Sequence, residues 1–135
     1  MKHKFIYFVI LIISVGFLSC NDDVASKITI TNSASNDISL NFRGTLTDVP
    51  AGETVELTNV LQGEYAYETI YEIPSGATSS EASESCAGTF VIGGGTRILV
   101  VYISSFNNGV YSLSASITSS NNLAEEGFLP NPIGP

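Results

Sequence analysis

Residues 98–118 read ILVVYISSFNNGVYSLSASIT, and this stretch decides the fold class. Ile98 to Ile103 is an unbroken apolar run, as expected of a central strand covered on both faces. Tyr111, Leu113, Ala115 and Ile117 alternate with Ser112, Ser114 and Ser116, the period of two that marks a strand with one buried face. Between the two lies Asn107-Asn108-Gly109, and Asn-Gly is the strongest short-range hairpin signal. The pair therefore reads as a β-hairpin.

Working outward, the same period recurs. Ile28 and Ile30 alternate with threonines. Ile38, Leu40 and Phe42 alternate with Ser39, Asn41 and Arg43. Val55 and Leu57 alternate with glutamates. Tyr65, Tyr67, Thr69, Tyr71 and Ile73 share one face, and Phe90 and Ile92 mark one more strand. Beyond Cys20 no window carries apolar residues at i, i+3, i+4 and i+7 over three turns. Ser33-Ala34-Ser35-Asn36, Val49-Pro50-Ala51-Gly52, Gln62-Gly63 and Gly93-Gly94-Gly95 punctuate the strands, the second with proline and glycine where a type I turn prefers them. Gly93-Gly94-Gly95 reads as a hairpin turn. It is not a phosphate loop, because Ile98-Leu99-Val100 follows where a helix N-terminus would be needed. The expectation is an all-β chain with seven strands in an antiparallel β-sandwich, immunoglobulin-like or transthyretin-like, over residues 27–118. The string VPAGETVELTNVLQGEYAYET (49–69) resembles a strand–turn–strand unit of small bacterial Ig-like and carboxypeptidase-regulatory-like domains.

The N-terminus reads differently. Lys2, His3 and Lys4 precede FIYFVILIISVGFL (5–18), an uncharged run too short for the roughly 20 residues that span a bilayer as a helix. It reads as a signal peptide over residues 1–19. Its end, Gly16-Phe17-Leu18-Ser19-Cys20, resembles the lipobox of bacterial lipoproteins. That resemblance implies cleavage after Ser19, a diacylglyceryl group on the Cys20 sulfur and acylation of its new amino group. Two or three acyl chains anchor stably where one binds only marginally. Asn21-Asp22-Asp23 resembles the acidic tether of surface-exposed Bacteroidetes lipoproteins. The resemblance implies a bacterial outer-membrane protein facing outward, with a periplasmic orientation as the alternative, and a tether over residues 20–26.

The 116 residues from Cys20 to Pro135 make one domain of ordinary size. They contain no His, and Lys27, Arg43 and Arg97 stand against 13 acids, for a net charge of −10. Without His there is no Ser-His-Asp or Cys-His site and no His-bearing zinc site. Three basic residues give no electrostatic footprint for nucleic acid. No cofactor is expected beyond the lipid. Calcium is the one metal that the excess acids suit, although no D-x-D-x-D-G string is present.

Two segments break the alternation. Residues 74–85 (PSGATSSEASES) lack large apolar side chains and read as a mobile loop. Ser75, Gly76, Ser79, Ser80, Glu81, Ser83 and Glu84 are its candidate contact residues, since loops carry recognition. Residues 119–135, with three prolines, read as a flexible tail, with Phe128 and Leu129 able to tuck onto the sandwich. Its LPNPI is not a sorting signal, because no membrane segment or basic end follows.

Glu64, Glu68 and Glu72 fall on one face of a strand, opposite the tyrosines. Neighbours at i and i+4 lie about 13 Å apart on a strand, too far for the carboxylate pairs of glycosidases. The tyrosine face reads as core and the glutamate face as solvated. Cys86 shares the parity of Phe90 and Ile92 and reads as a small core residue, with an intermolecular disulfide as its alternative. The expected function is therefore a non-enzymatic, lipid-anchored cell-envelope module for adhesion, surface assembly or capture of a protein or glycan ligand. The alternatives are a small carboxylate hydrolase that includes Glu68, and an inhibitor-type lipoprotein that offers residues 74–85 to a partner enzyme.

Overall fold

The structure, a computed structural model, describes residues 25–121. These form nine strands in two sheets, with no closed barrel. They are β1 (Ser26–Asn32), β2 (Ile38–Phe42), β3 (Thr45–Val49), β4 (Thr54–Val60), β5 (Gly63–Tyr71), β6 (Ser79–Ala82), β7 (Ala87–Ile92), β8 (Thr96–Asn107) and β9 (Val110–Asn121). One sheet has the order β4-β1-β8-β9-β6 and the other β3-β2-β5-β7. A single 3-10 turn, Glu84–Cys86, leads from the first sheet to the second.

The period-two pattern builds one core between the sheets. Ile28, Ile30, Ile98, Val100, Tyr102, Tyr111 and Leu113 point inward from the five-stranded sheet. Ile38, Leu40, Phe42, Val49, Tyr67, Phe90 and Ile92 meet them from the other. Tyr67 stacks on Phe90 with ring centroids 4.0 Å apart. The Thr69 and Tyr102 hydroxyls, 2.6 Å apart, bridge the layers through the core. Buried Asn32 ties the connections together. Its Nδ2 donates to the carbonyls of Asn36 (2.9 Å) and Val49 (2.8 Å), and its Oδ1 accepts from the Ala34 N–H (3.0 Å).

The β8–β9 hairpin forms as expected. Asn107 pairs with Val110 across Asn108 (φ 51°) and Gly109 (φ 82°), the two left-handed residues of a type I′ turn. Other expectations are corrected. There are nine strands among the described residues, not seven, and the pairing is mixed, because β1 runs parallel to β8 and β6 parallel to β9. The unforeseen β3 follows a second tight hairpin, with Arg43 (φ 57°) and Gly44 (φ 77°) between paired Phe42 and Thr45. Gly93–Gly95 is not a hairpin turn but the passage from β7 in one sheet to β8 in the other. The 98–103 run lies in the central strand of its sheet but is covered on one face only, since Leu99 and Ile103 are 42% and 55% exposed. β9 runs on to Asn121, so residues 119–121 belong to the sheet rather than to a tail.

Candidate interaction surfaces

The segment expected to be a mobile contact loop is largely built into the fold. Ser75 and Gly76 form a turn, in which the Ala77 N–H donates to the Pro74 carbonyl. The Thr78 N–H then donates to the Gly109 carbonyl at 2.7 Å, and this bond starts the pairing of β6 along β9. Ser79, Ser80 and Glu81 are strand residues, and Glu81 accepts a 2.7 Å hydrogen bond from Ser112. The Ser83 N–H donates to the Leu113 carbonyl, and the Ser83 Oγ accepts from the Ala115 N–H. Glu84 opens the 3-10 turn. The polar composition reflects an edge strand whose main chain, not its side chains, holds it in place. Ser75, Gly76, Ser79, Glu81 and Glu84 remain exposed on this ordered edge.

Cys86 closes the 3-10 turn and is buried. Its sulfur lies 3.6 Å from the Ser83 hydroxyl and 3.8 Å from the Leu113 carbonyl, so its core role matches its alternation parity. Cys86 is 4% exposed, so a disulfide to another chain would require its sulfur to move to the surface.

On β5 the tyrosine side faces the core and the glutamate side faces out. Tyr67 is buried, and its hydroxyl donates to the Ser85 carbonyl. Burial and the nearby Cys86 thiol raise its pKa. Tyr102 behaves likewise. Burial pushes it up to about 12, against the opposing hydrogen bond with Thr69. These are structural phenols, held neutral. Glu64, Glu68 and Glu72 are all exposed; Glu64 and Glu68 line one shallow recess and Glu72 another.

The outer face of the four-stranded sheet holds two shallow recesses. One, about 540 Å³, is lined by Asn41, Arg43, Glu64 and Glu68 among others, and the buried Asn41 Oδ1 there has no hydrogen-bond partner. The Arg43 guanidinium sits 4.8 Å from the Tyr65 ring centroid at its margin. The other, about 450 Å³, is rimmed by Asp37, Asp48 and Glu72. Two of these carboxylates have structural work. Asp37 accepts the Ala51 N–H at 2.9 Å, and Asp48 accepts the Ser39 hydroxyl at 2.6 Å. Among the described residues there is no group of three His, Cys, Asp or Glu that could hold a metal ion.

The outer face of the five-stranded sheet has another character. Leu99, Val101 and Ile103 run up its central strand. Thr29 and Thr31 flank them on β1, and Thr118, Ser116 and Ser114 on β9. Sequence reasoning missed this stripe because it assigned both faces of residues 98–103 to the core. It also missed the Asn41 recess, for which an isolated polar residue in a strand gives no signal.

Cys20, Asn21, Asp22 and Asp23 lie outside the described residues, as do Phe128 and Leu129. Among the described residues no helix is long and apolar enough to cross a membrane. No protein-family model matches the chain, and no curated protein matches it in sequence.

Proposed function

We propose that the chain is a non-enzymatic lipoprotein of the bacterial outer membrane, anchored through Cys20. Its two-sheet body acts as a binding, adhesion or surface-assembly module for a protein or glycan. One observation carries the reading: a charged start, a 14-residue apolar run and Leu18-Ser19-Cys20 end six residues before Ser26, where the first core strand begins. Six residues span at most about 20 Å, so a lipid on Cys20 would hold the body close to the bilayer. The polar Asn21 and the two acids Asp22 and Asp23 after it favour the outward-facing leaflet. The body itself belongs, on this reading, with the immunoglobulin-like or transthyretin-like sandwiches. Two facing sheets with short connections support that class, while the parallel β1–β8 and β6–β9 pairs set this chain apart from an all-antiparallel member. The glutamates exposed on β5 fit a binding surface better than a hydrolytic cleft.

Metabolic labelling with radioactive palmitate tests the anchor. The wild-type chain should take up the label and remain with membranes, and Cys20→Ala should lose both. Label retained by Cys20→Ala would refute the assignment. Protease shaving of intact cells then decides the leaflet, with surface display giving cleavage without lysis.

A further inference from the structure

The two sheets present two outer faces, and these differ in charge. The four-stranded sheet turns Asp48, Glu64 and Glu68 outward. β1, β8 and β9, the three middle strands of the other sheet, contain no acid at all in a chain that has 13. This face instead carries Lys27 and Arg97, two of the three basic residues beyond Cys20, as neighbours on parallel strands. Lys27 pairs with Glu56 at 3.0 Å, and no described acid pairs with the Arg97 side chain. Leu99, Val101 and Ile103 continue the row that Arg97 begins, with Leu99 42% and Ile103 55% exposed. Where charge gives way to the apolar stripe lies a recess of about 340 Å³, lined by Lys27, Thr29, Arg97, Leu99, Thr118 and Ser120 among others.

The sequence that follows β9 has the complementary pattern. Residues 122–135, outside the described residues, read NLAEEGFLPNPIGP, two acids and then a run of apolar side chains and prolines. β9 ends at Asn121 opposite Thr96, so the chain leaves the sheet beside Arg97 and Lys27. β8 and β9 are antiparallel, so a chain that reverses after Asn121 travels in the direction of β8, from Arg97 toward Ile103. Asn122 to Glu125 supply the reversal. Glu126 and Phe128 then have the spacing of two that separates Arg97 from Leu99. Arg97 to Ile103 spans about 20 Å at ~3.3 Å per strand residue. Glu126 to Ile133 spans about 22 Å at ~3.1 Å per residue of extended, proline-rich chain. Pro130 and Pro132 lack backbone donors, which suits a segment that lies on the face of a sheet rather than one that pairs at its edge.

We propose that residues 122–135 fold back over this face and cover the apolar stripe of their own chain. Glu125 and Glu126 meet Lys27 and Arg97, Phe128 fills the recess against Leu99, and Leu129 and Ile133 cover Val101 and Ile103. Charge favours this occupant over a second copy of the same face, which offers only further cations and hydroxyls and no acid for Arg97. It also favours this face over the other, where Glu125 and Glu126 would meet Glu64, Glu68 and Asp48. The cover forms within one chain and does not depend on the lipid anchor. It leaves the outer face of the four-stranded sheet, with its two recesses, open to a partner.

Cysteine cross-linking tests the cover. The full chain carrying Cys20→Ser, Thr29→Cys and Leu129→Cys is treated at low concentration with a short bismaleimide, and the linked peptides are identified by mass spectrometry. Thr29 lies beside Leu99 on the outer face, and Cys86 is buried from the reagent. The control replaces Thr29→Cys with Val91→Cys, an exposed site five residues before Thr96 on the other sheet, within reach of an unattached tail. The expected result is a link within one chain that forms at least tenfold faster for Thr29→Cys than for the control. Adding Arg97→Glu or Leu99→Asp, both at exposed positions, should slow it at least fivefold while thermal unfolding still shows one cooperative transition. Glu126→Arg added to Arg97→Glu should restore much of the rate. A link no faster than the control, or one that joins two chains instead of closing within one, overturns the proposal. So does a rate that neither Arg97→Glu nor Leu99→Asp changes in a folded chain.

Discussion

Replacing Asn32 by alanine removes the most connected buried side chain in the sandwich, and the cost can be worked from its bonds. The fully buried amide holds the Ala34 N–H, the Val49 carbonyl and the Asn36 carbonyl. The Ala34 N–H has only one hydrogen to give, so its loss leaves a buried donor unsatisfied, at about 1 to 3 kcal/mol. The Val49 carbonyl loses a buried partner, about 1 kcal/mol more, and the part-buried Asn36 carbonyl recovers water at little cost. The total is about 3 kcal/mol, a large share of the roughly 5 to 15 kcal/mol that holds a domain together. For a body of this size that lowers the melting temperature by about 12 to 24 °C. Asn32→Asp separates hydrogen bonding from volume. It keeps the shape but turns an acceptor toward two carbonyls, so it should cost more than alanine at neutral pH. Urea unfolding of a soluble form beginning at Asn21 measures both. A loss below about 1 kcal/mol for Asn32→Ala, or a milder effect for Asn32→Asp, would refute the idea that this side chain clamps the β1–β2 and β3–β4 connections.

Stability should fall as pH rises past 10. The folded Tyr102 phenol has its pKa raised to about 12, so its contribution is complete below the unfolded value near 10 and is lost as pH climbs toward 12. Tyr102→Phe should flatten that slope in alkaline urea titrations, while costing about 1 to 3 kcal/mol at neutral pH by stranding Thr69. Gly109→Ala should destabilise by about 1 kcal/mol or more, because Gly109 has φ +82° and a Cβ there would lie 2.8 Å from Thr78 Oγ1. Differential scanning calorimetry would register it. The Ser83 amide, bonded to Leu113, should exchange slowly with deuterium, and rapid exchange there would restore the mobile-loop picture. Glu64→Gln, Glu68→Gln and Glu72→Gln should each leave the unfolding midpoint within about 0.5 kcal/mol of wild type, as exposed changes do.

The alternation of apolar residues revealed the strands whose inward faces are apolar. β2 and β9 could be read directly, because Ile38, Leu40 and Phe42, or Tyr111 and Leu113, sit at every second place and are buried. β3 was illegible for a physical reason. Only Val49 is buried, Thr47 is half-buried, Thr45 is exposed, and Leu46 is 57% exposed on the other face, so no apolar alternation marks the strand. β6 was illegible because backbone pairing with β9 holds it, and its Ser-Ser-Glu-Ala side chains carry no core signal. Parallel pairing of β1 with β8 joins residues about 70 positions apart, which no local pattern encodes. The run at 98–103 misled because a strand can be apolar on a face that the fold leaves open. Surfaces were the least legible feature. The orphan Asn41 oxygen and the Leu99–Ile103 stripe emerge only once strands from distant parts of the chain lie side by side.

The mass of the mature N-terminus tests the central claim most directly. The protein is extracted from the envelope of its native cells, digested, and its N-terminal peptide analysed by mass spectrometry. The account predicts a peptide that begins at Cys20 and carries a diacylglyceryl group, with or without an amide-linked acyl chain. A peptide that begins at Met1, or at any residue other than Cys20, or an unmodified Cys20 thiol, would contradict it.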